Sequence, residues 1–272
     1  MTEKKKTLAV LDMNNGTPNQ GLRCIVEIVK TYESEIDYQV FDVRGKNEIP
    51  DTSFDIYISS GGPGSPLDDG EWRKPYLNLM QNLWDINKEE TDSKKYVFFI
   101  CYSFQVICDY FQLGEIKPRR STSFGILRVH KTQNGKKDII LKGLPDPYFA
   151  VDSRDFQLIQ PNLKVFKKHG AKILSLEKIR THVELERAIM AVRFSDEFVG
   201  TQYHPEAEPV SMEKHFKLEE NKTKVIESFG EEKYNQMMFR MNHPDKLELT
   251  YNTVLPRFIN NALKPILVEQ HN

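Results

Sequence analysis

The sequence predicts an α/β protein: an open, mostly parallel sheet with helices on both faces, plus a helical C-terminal extension. Three observations carry the prediction. Short, continuously apolar runs of strand length recur through the first half of the chain. Between them lie longer segments with apolar residues every three or four positions, the period of a helix packed on one side. Two of the apolar runs end directly in turn chemistry, one in a glycine-rich loop and one in a cysteine that opens a helical segment. Strands buried on both faces read as unbroken apolar runs, and repeated β-then-α order makes neighbouring strands parallel.

Taken in order, residues 7–13 read as the first buried strand. Residues 20–31 form a helix with Leu22, Ile25, Val26 and Val29 on one face. Residues 38–43 and 54–60 are the second and third strands, the latter running into Gly61, Gly62, Pro63, Gly64 and Ser65. Residues 72–87 are helical, with Tyr76, Leu79, Met80 and Leu83 inward. Residues 96–100 are a strongly apolar strand ending at Cys101, followed by a helix over 104–111. Further strands are expected at 124–129, 138–141, 171–176, 187–194 and 198–203, the last two joined by a hairpin at 195–197. From Pro209 the chain turns polar and helical, with candidate helices at 212–229, 231–241 and 247–262. The expected organisation is one domain over residues 1–210 and a helical extension over 211–272.

The 272 residues suffice for a sizeable core. With 38 basic against 39 acidic residues, charge gives no case for nucleic acid or a membrane surface as partner. Cys24, Cys101 and Cys108 are too few and too scattered for a disulfide framework, and no metal-ligand spacing is present, so a cytoplasmic setting is expected and no metal. The opening Met1–Lys6 and the short apolar run behind it match neither a signal peptide nor a membrane helix; the lysines read as a solvated leader. The basic run at 117–120 reads as a solvated turn, and Asp245 as a helix cap. The loop over residues 14–21 opens on the same rim of the sheet as the glycine-rich loop and is either an ordinary turn or part of a pocket wall.

Ligands of parallel sheets bind at the carboxyl ends of the strands, where both the 61–66 loop and Cys101 fall. A nucleophile on a sharp strand-to-helix turn stands beside free backbone N–H groups, and a helix N-terminus favours thiolate over thiol. Cys24 and Cys108, inside apolar helical patterns, read as small buried hydrophobes. His204 directly follows an apolar strand, and Pro205 brings Glu206 back toward it. A carboxylate there can orient the ring and stabilise its charged form, as the third member of a triad does.

Three motifs in order resemble class I glutamine amidotransferases: Gly61, Gly62, Pro63, Gly64, Ser65; then Ile100, Cys101, Tyr102, Ser103, Phe104, Gln105; then Gln202, Tyr203, His204, Pro205, Glu206. The family patterns are G-G-P-x-S, G-x-C-x-G-x-Q and Q-x-H-P-E. The resemblance spans about the first 210 residues and includes the glutaminase domain of GMP synthase. It implies a flavodoxin-like sheet, with Cys101 as nucleophile, His204 as general base and acid, and Glu206 orienting it. It further implies an oxyanion hole from the backbone N–H groups of Gly62 and Tyr102, and substrate contacts from Gly61 and Gln105. L-Glutamine is the implied substrate and no cofactor is needed. Since no phosphate-binding G-x-x-x-x-G-K-[ST] loop is present, either the ammonia acceptor is a separate synthetase subunit or the enzyme hydrolyses or transfers a γ-glutamyl group on its own. The extension either packs on the sheet, forms a homodimer surface or docks a partner.

Two positions depart from the pattern. Phe99 and Ser103 stand where the family elbow has glycines. Val151, Asp152, Ser153, Arg154 and Asp155 occupy a segment that often carries histidine, and the His-Ser-Arg version of it belongs to homoserine acyltransferases. Arg154 is thus either a clamp for a substrate carboxylate or an ion-pair partner of Asp152 or Asp155. An acyltransferase is the second functional reading, and a non-catalytic subunit of the same fold, suggested by Phe99, is the third.

Overall fold

The computed structural model describes residues 4–89, 93–179, 186–243 and 245–264; the first three residues of the expected leader lie outside the described residues. The first half contains β1 (Lys6–Asp12), α1 (Gln20–Lys30), β2 (Ile36–Asp42), the single turn α2 (Val43–Lys46), β3 (Ile56–Ser59), α3 (Arg73–Lys88), β4 (Tyr96–Ile100) and α4 (Tyr102–Tyr110). The middle contains β5 (Glu115–Lys131), α5 (Gln133–Lys137), β6 (Tyr148–Ile159), α6 (Leu163–His169), β7 (Lys172–Glu177), β8 (Ile189–Arg193) and β9 (Phe198–Thr201). The chain closes with α7 (Pro209–Lys217), α8 (Glu219–Phe229), α9 (Glu231–Met241), α10 (Leu247–Tyr251) and α11 (Val254–Leu263).

The strands form one nine-stranded sheet in the order β2-β1-β3-β4-β9-β8-β7-β5-β6. The pairings from β2 through β9 are parallel and give the flavodoxin-like half. The pairings from β9 to β6 are antiparallel and extend the sheet on one side. Alternation along the strands splits the core into two layers. Leu8, Val10, Ile58, Phe98 and Ile100 face α1 and α11, while Ala9, Leu11, Tyr57, Val97 and Phe99 face α3 and α4. In α11 the buried face is Val254, Leu255, Phe258, Ile259 and Ala262, and Phe258 meets Phe98 edge-on at 5.1 Å between ring centroids. Each large side chain so buried is worth about 1.5–3 kcal/mol. α8 and α9 cover the antiparallel side, where Val225, Tyr234, Met237 and Met241 pack with Ile126 and Phe149. Among the described residues no helix is long and apolar enough to cross a membrane.

Several local readings are corrected. Residues 139–141 form a 3-10 turn instead of a strand, started by Asp138, whose Oδ1 accepts from the Ile140 N–H at 3.0 Å and from Arg193 Nη2 at 2.8 Å. The run at 117–120 is not a solvated turn but part of β5, where Pro118 is tolerated beside an irregularity in the ladder. The Arg119 side chain there is largely covered, donating to Gln157 Oε1 (2.7 Å) and Glu177 Oε1 (3.2 Å). The predicted helix 212–229 breaks at the extended Leu218, and Glu208 caps α7 by accepting from the Val210 and Ser211 N–H groups. Lys246, without a side-chain bond, occupies the cap of α10 expected of Asp245. β6 has no apolar alternation in its middle because Asp152 and Arg154 are buried there against each other.

Candidate active site

Cys101 closes β4 and caps α4 with φ 48° and ψ −97°, a conformation that costs a residue with a Cβ of the order of 1–3 kcal/mol. Hydrogen bonds over-determine the turn: its N–H donates to Thr201 O at 2.8 Å, and its carbonyl accepts from the Gln105 N–H at 3.0 Å. Ser103 contributes directly, since its Oγ accepts from the Ile100 N–H (3.0 Å) and lies 2.8 Å from Ser59 O. A serine at this position therefore stitches the elbow to β3. Phe99 points to the face covered by α3 and α4, in contact with Phe194 and Phe198 at 5.8 and 5.9 Å between centroids. Its bulk is accommodated by Gly200, its register partner on β9, where a Cβ would lie 2.8 Å from Phe104 Cδ2 and 3.1 Å from Phe99 Cβ. The glycine absent from the elbow strand thus has a counterpart on the neighbouring strand.

The segment after β9 carries His204 to the same rim. Its N–H donates to Val151 O at 2.9 Å, tying it to β6. Its Nδ1 lies 2.8 Å from Glu206 Oε1, and its ring and the Cys101 side chain both border Gly61. Burial alone would push the imidazole pKa down; the Glu206 carboxylate hydrogen-bonded to it, with the Cys101 side chain beside it, holds it well above the usual value. Glu206 is itself buried, at 1% exposed. Gly21, at the start of α1, leaves it room, since a Cβ there would sit 2.9 Å from Glu206 Oε1.

The third wall is the loop after β3. A Cβ on Gly61 would approach His204 Cε1 to 2.8 Å, and one on Gly62 would approach Met13 O to 2.1 Å, so both positions need glycine. Arg44, which the sequence did not single out, holds this loop. Its Nη1 donates to Met13 O (2.9 Å) and Pro63 O (2.7 Å), and its guanidinium lies 4.3 Å from the ring centre of Tyr102. Gly61, Gly62, Cys101, Tyr102, Gln105, His204 and Glu206 all line one cavity of about 630 Å³.

The sequence pattern of the family described as glutamine amidotransferase class-I matches residues 22–225, well over half of the chain. The chain belongs to the class-I glutamine amidotransferase family. No curated protein sequence matches the chain. Among solved structures, a glutamine amidotransferase from Thermotoga maritima is 14% identical, with a TM-score of 0.66 over 96% of this chain and 100% of that one. A glutamine amidotransferase from Methylobacillus flagellatus is 13% identical, with a TM-score of 0.65 over 99% of this chain and 100% of that one. The CTPS glutaminase domain of Trypanosoma brucei, solved with bound acivicin, is 10% identical, with a TM-score of 0.52 over 74% of this chain and 86% of that one. Likeness at these identities establishes the fold.

Within this amidotransferase, Gln105 stands behind the sulfur. Its Nε2 donates to Gln202 Oε1 at 2.9 Å, and Gln202 Nε2 lies 3.7 Å from Cys101 Sγ. Gln202, fully buried, was visible in the third motif but had been given no role. Arg154 also borders the cavity, but its Nε donates to both Asp152 oxygens (2.9 and 3.0 Å) and its Nη1 faces Phe156 O at 3.4 Å. Ser153, beside it, brings its carbonyl to 3.8 Å from Cys101 Sγ. Asn14, from the loop after β1, lines the cavity, and its buried Oδ1 has no hydrogen-bond partner among the described residues. The C-terminal helices complete the cavity through Met212, Phe216 and Met237, which nothing in the sequence tied to the site.

Proposed function

We propose that this amidotransferase hydrolyses the side-chain amide of glutamine through a Cys101 thioester, with His204 and Glu206 completing the triad. One observation carries the reading: Cys101 sits at the strained end of β4 and shares the space around Gly61 with His204, whose Nδ1 lies 2.8 Å from the buried Glu206. The Cys101 sulfur attacks the carboxamide carbon. The oxyanion forms against the Gly62 and Tyr102 N–H groups, an arrangement worth about 3 kcal/mol per donor. His204 delivers its proton to the departing ammonia and then takes one from the water that cleaves the thioester to glutamate. Glu206 fixes the tautomer and stabilises the imidazolium. Asn14 Oδ1 is an acceptor suited to the substrate's α-ammonium group.

The pairing of Arg154 with Asp152 weighs against the acyltransferase reading, because the guanidinium meant for a substrate carboxylate already has one. The packing of Phe99 over Gly200 weighs against a non-catalytic subunit, because the elbow keeps its geometry. Glutamate release from L-glutamine by the purified protein, beside Cys101→Ala, tests the proposal, together with labelling by a glutamine-like diazoketone and mass spectrometry. Release and labelling that both vanish in Cys101→Ala are expected. Release that persists in Cys101→Ala would sink it.

A further inference from the structure

The cavity is larger than a free amino acid requires, and its two ends differ in chemistry. At about 630 Å³ it lies in the range of roughly 300–1,000 Å³ that buries a drug-sized molecule. The wall around Gly61, Cys101 and His204 is polar. Beyond His204, toward α7 and α9, it is largely apolar. Val151 pairs with His204 through the backbone, and the Ala207 N–H donates to His204 O at 3.4 Å. Both residues belong to one apolar cluster with Phe124, Met212, Phe216 and Met237, and all six line the cavity. Polar side chains along this part of the wall are engaged with one another: Ser211 Oγ accepts from Arg23 Nη2 at 2.6 Å, and Thr122 Oγ1 donates to Asp155 Oδ1 at 2.5 Å.

In amide cleavage the leaving nitrogen must lie beside the imidazole that protonates it. The apolar end is therefore where the substituent on that nitrogen goes. Ammonia, small and strongly hydrated, gains nothing from a wall of methionine and phenylalanine, whereas an aromatic group gains burial, sulfur–aromatic contact and edge-on ring contact.

We propose that the preferred substrate is a γ-glutamyl amide whose nitrogen carries an aromatic group, bound in the chamber between His204 and helices α7 and α9. The inference rests on the Cys101 hydrolase reading above. Cys101 Sγ bonds to the γ-carbonyl carbon as the C–N bond breaks, and the His204 proton leaves on the aryl-bearing amine. Water then cleaves the thioester, giving glutamate and returning a proton to the Cys101–His204 pair. Neither an oxidant nor an ammonia acceptor is needed.

The test is kcat/KM for glutamate release by the full-length protein along the series L-glutamine, γ-glutamylmethylamide, γ-glutamylbutylamide and γ-glutamylbenzylamide, whose alkyl amine leaving groups are close in basicity. A rise along the series, with the benzylamide at least tenfold above glutamine, is expected. Met237→Trp, which fills the chamber, should lower the benzylamide-to-glutamine ratio at least tenfold. Met212→Trp, at a half-exposed position, serves if the first variant melts early. Glutamine turned over best, with rates falling as the substituent grows, would overturn this inference and leave the glutaminase reading intact. No turnover of any member and no diazoketone label on Cys101 would remove both.

Discussion

At the scale of single residues, the site depends on a few atoms whose positions are set by charge and by missing Cβ groups. His204 is the sharpest case. Burial disfavours its protonated form, and Glu206 with Cys101 overrides that. A folded-state pKa raised above the unfolded value, about 6.5, stabilises the fold fully below that value and loses its contribution as pH rises through the folded value. Glu206→Gln should therefore cost most stability relative to the parent in mildly acidic buffer, with the gap closing as pH rises. Thermal melts across pH check this, and a gap independent of pH would contradict it. The same variant should lower kcat by about 10²-fold or more, since proton transfer loses its orienting charge. Cys101 and His204 were legible because their chemistry sits in contiguous motifs. Arg44 was not, because its partners Met13, Pro63 and Tyr102 come from three other places in the chain.

At the scale of elements, β4 and α4 show how a departure from a motif is absorbed by a neighbour. The sequence placed β4 to the residue, yet Phe99 looked too large for the turn. The register of β4 against β9 sets it opposite Gly200, and the space is shared across the two strands. Gly200→Ala should then cost about 1–3 kcal/mol by overpacking. Adding Phe99→Ala to that variant should destabilise less than the sum of the two single changes, a coupling that urea denaturation of the double-mutant cycle measures. Additive effects would show that the two side chains do not share this space. β5 and β6 were hard to read for a related reason. The charged side chains of Arg119, Asp152 and Arg154 are buried by pairing, Asp152 with Arg154 along β6 and both arginines with Glu177 across the sheet, so local polarity misreported exposure.

At the scale of the whole molecule, the C-terminal helices contribute both to the core and to the cavity wall. α11 covers the same face of the sheet as α1, while α7 and α9 wall the cavity. Phe258→Ala should cost about 3–5 kcal/mol, because Phe258 is buried against Phe98 at the centre of the parallel half. Chemical denaturation monitored by circular dichroism measures this, and a loss under 1 kcal/mol would mean that α11 is dispensable to the core.

The amino-acid sequence by itself determined the parallel β-α half and the rim on which the candidate site opens, and it singled out Cys101, His204 and Glu206 as the proposed triad. Each of these is written in local signals: unbroken apolar runs, a helical period, and motifs whose members are neighbours in the chain. Only the tertiary structure decided how the elbow tolerates Phe99 and Ser103, that Arg154 faces Asp152, that Arg44 holds the Gly62 loop, and that α7 and α9 close an apolar chamber beside His204. Those are matters of which distant residues share a volume or a charge, and spacing along a chain carries no record of them until the sheet has set its register.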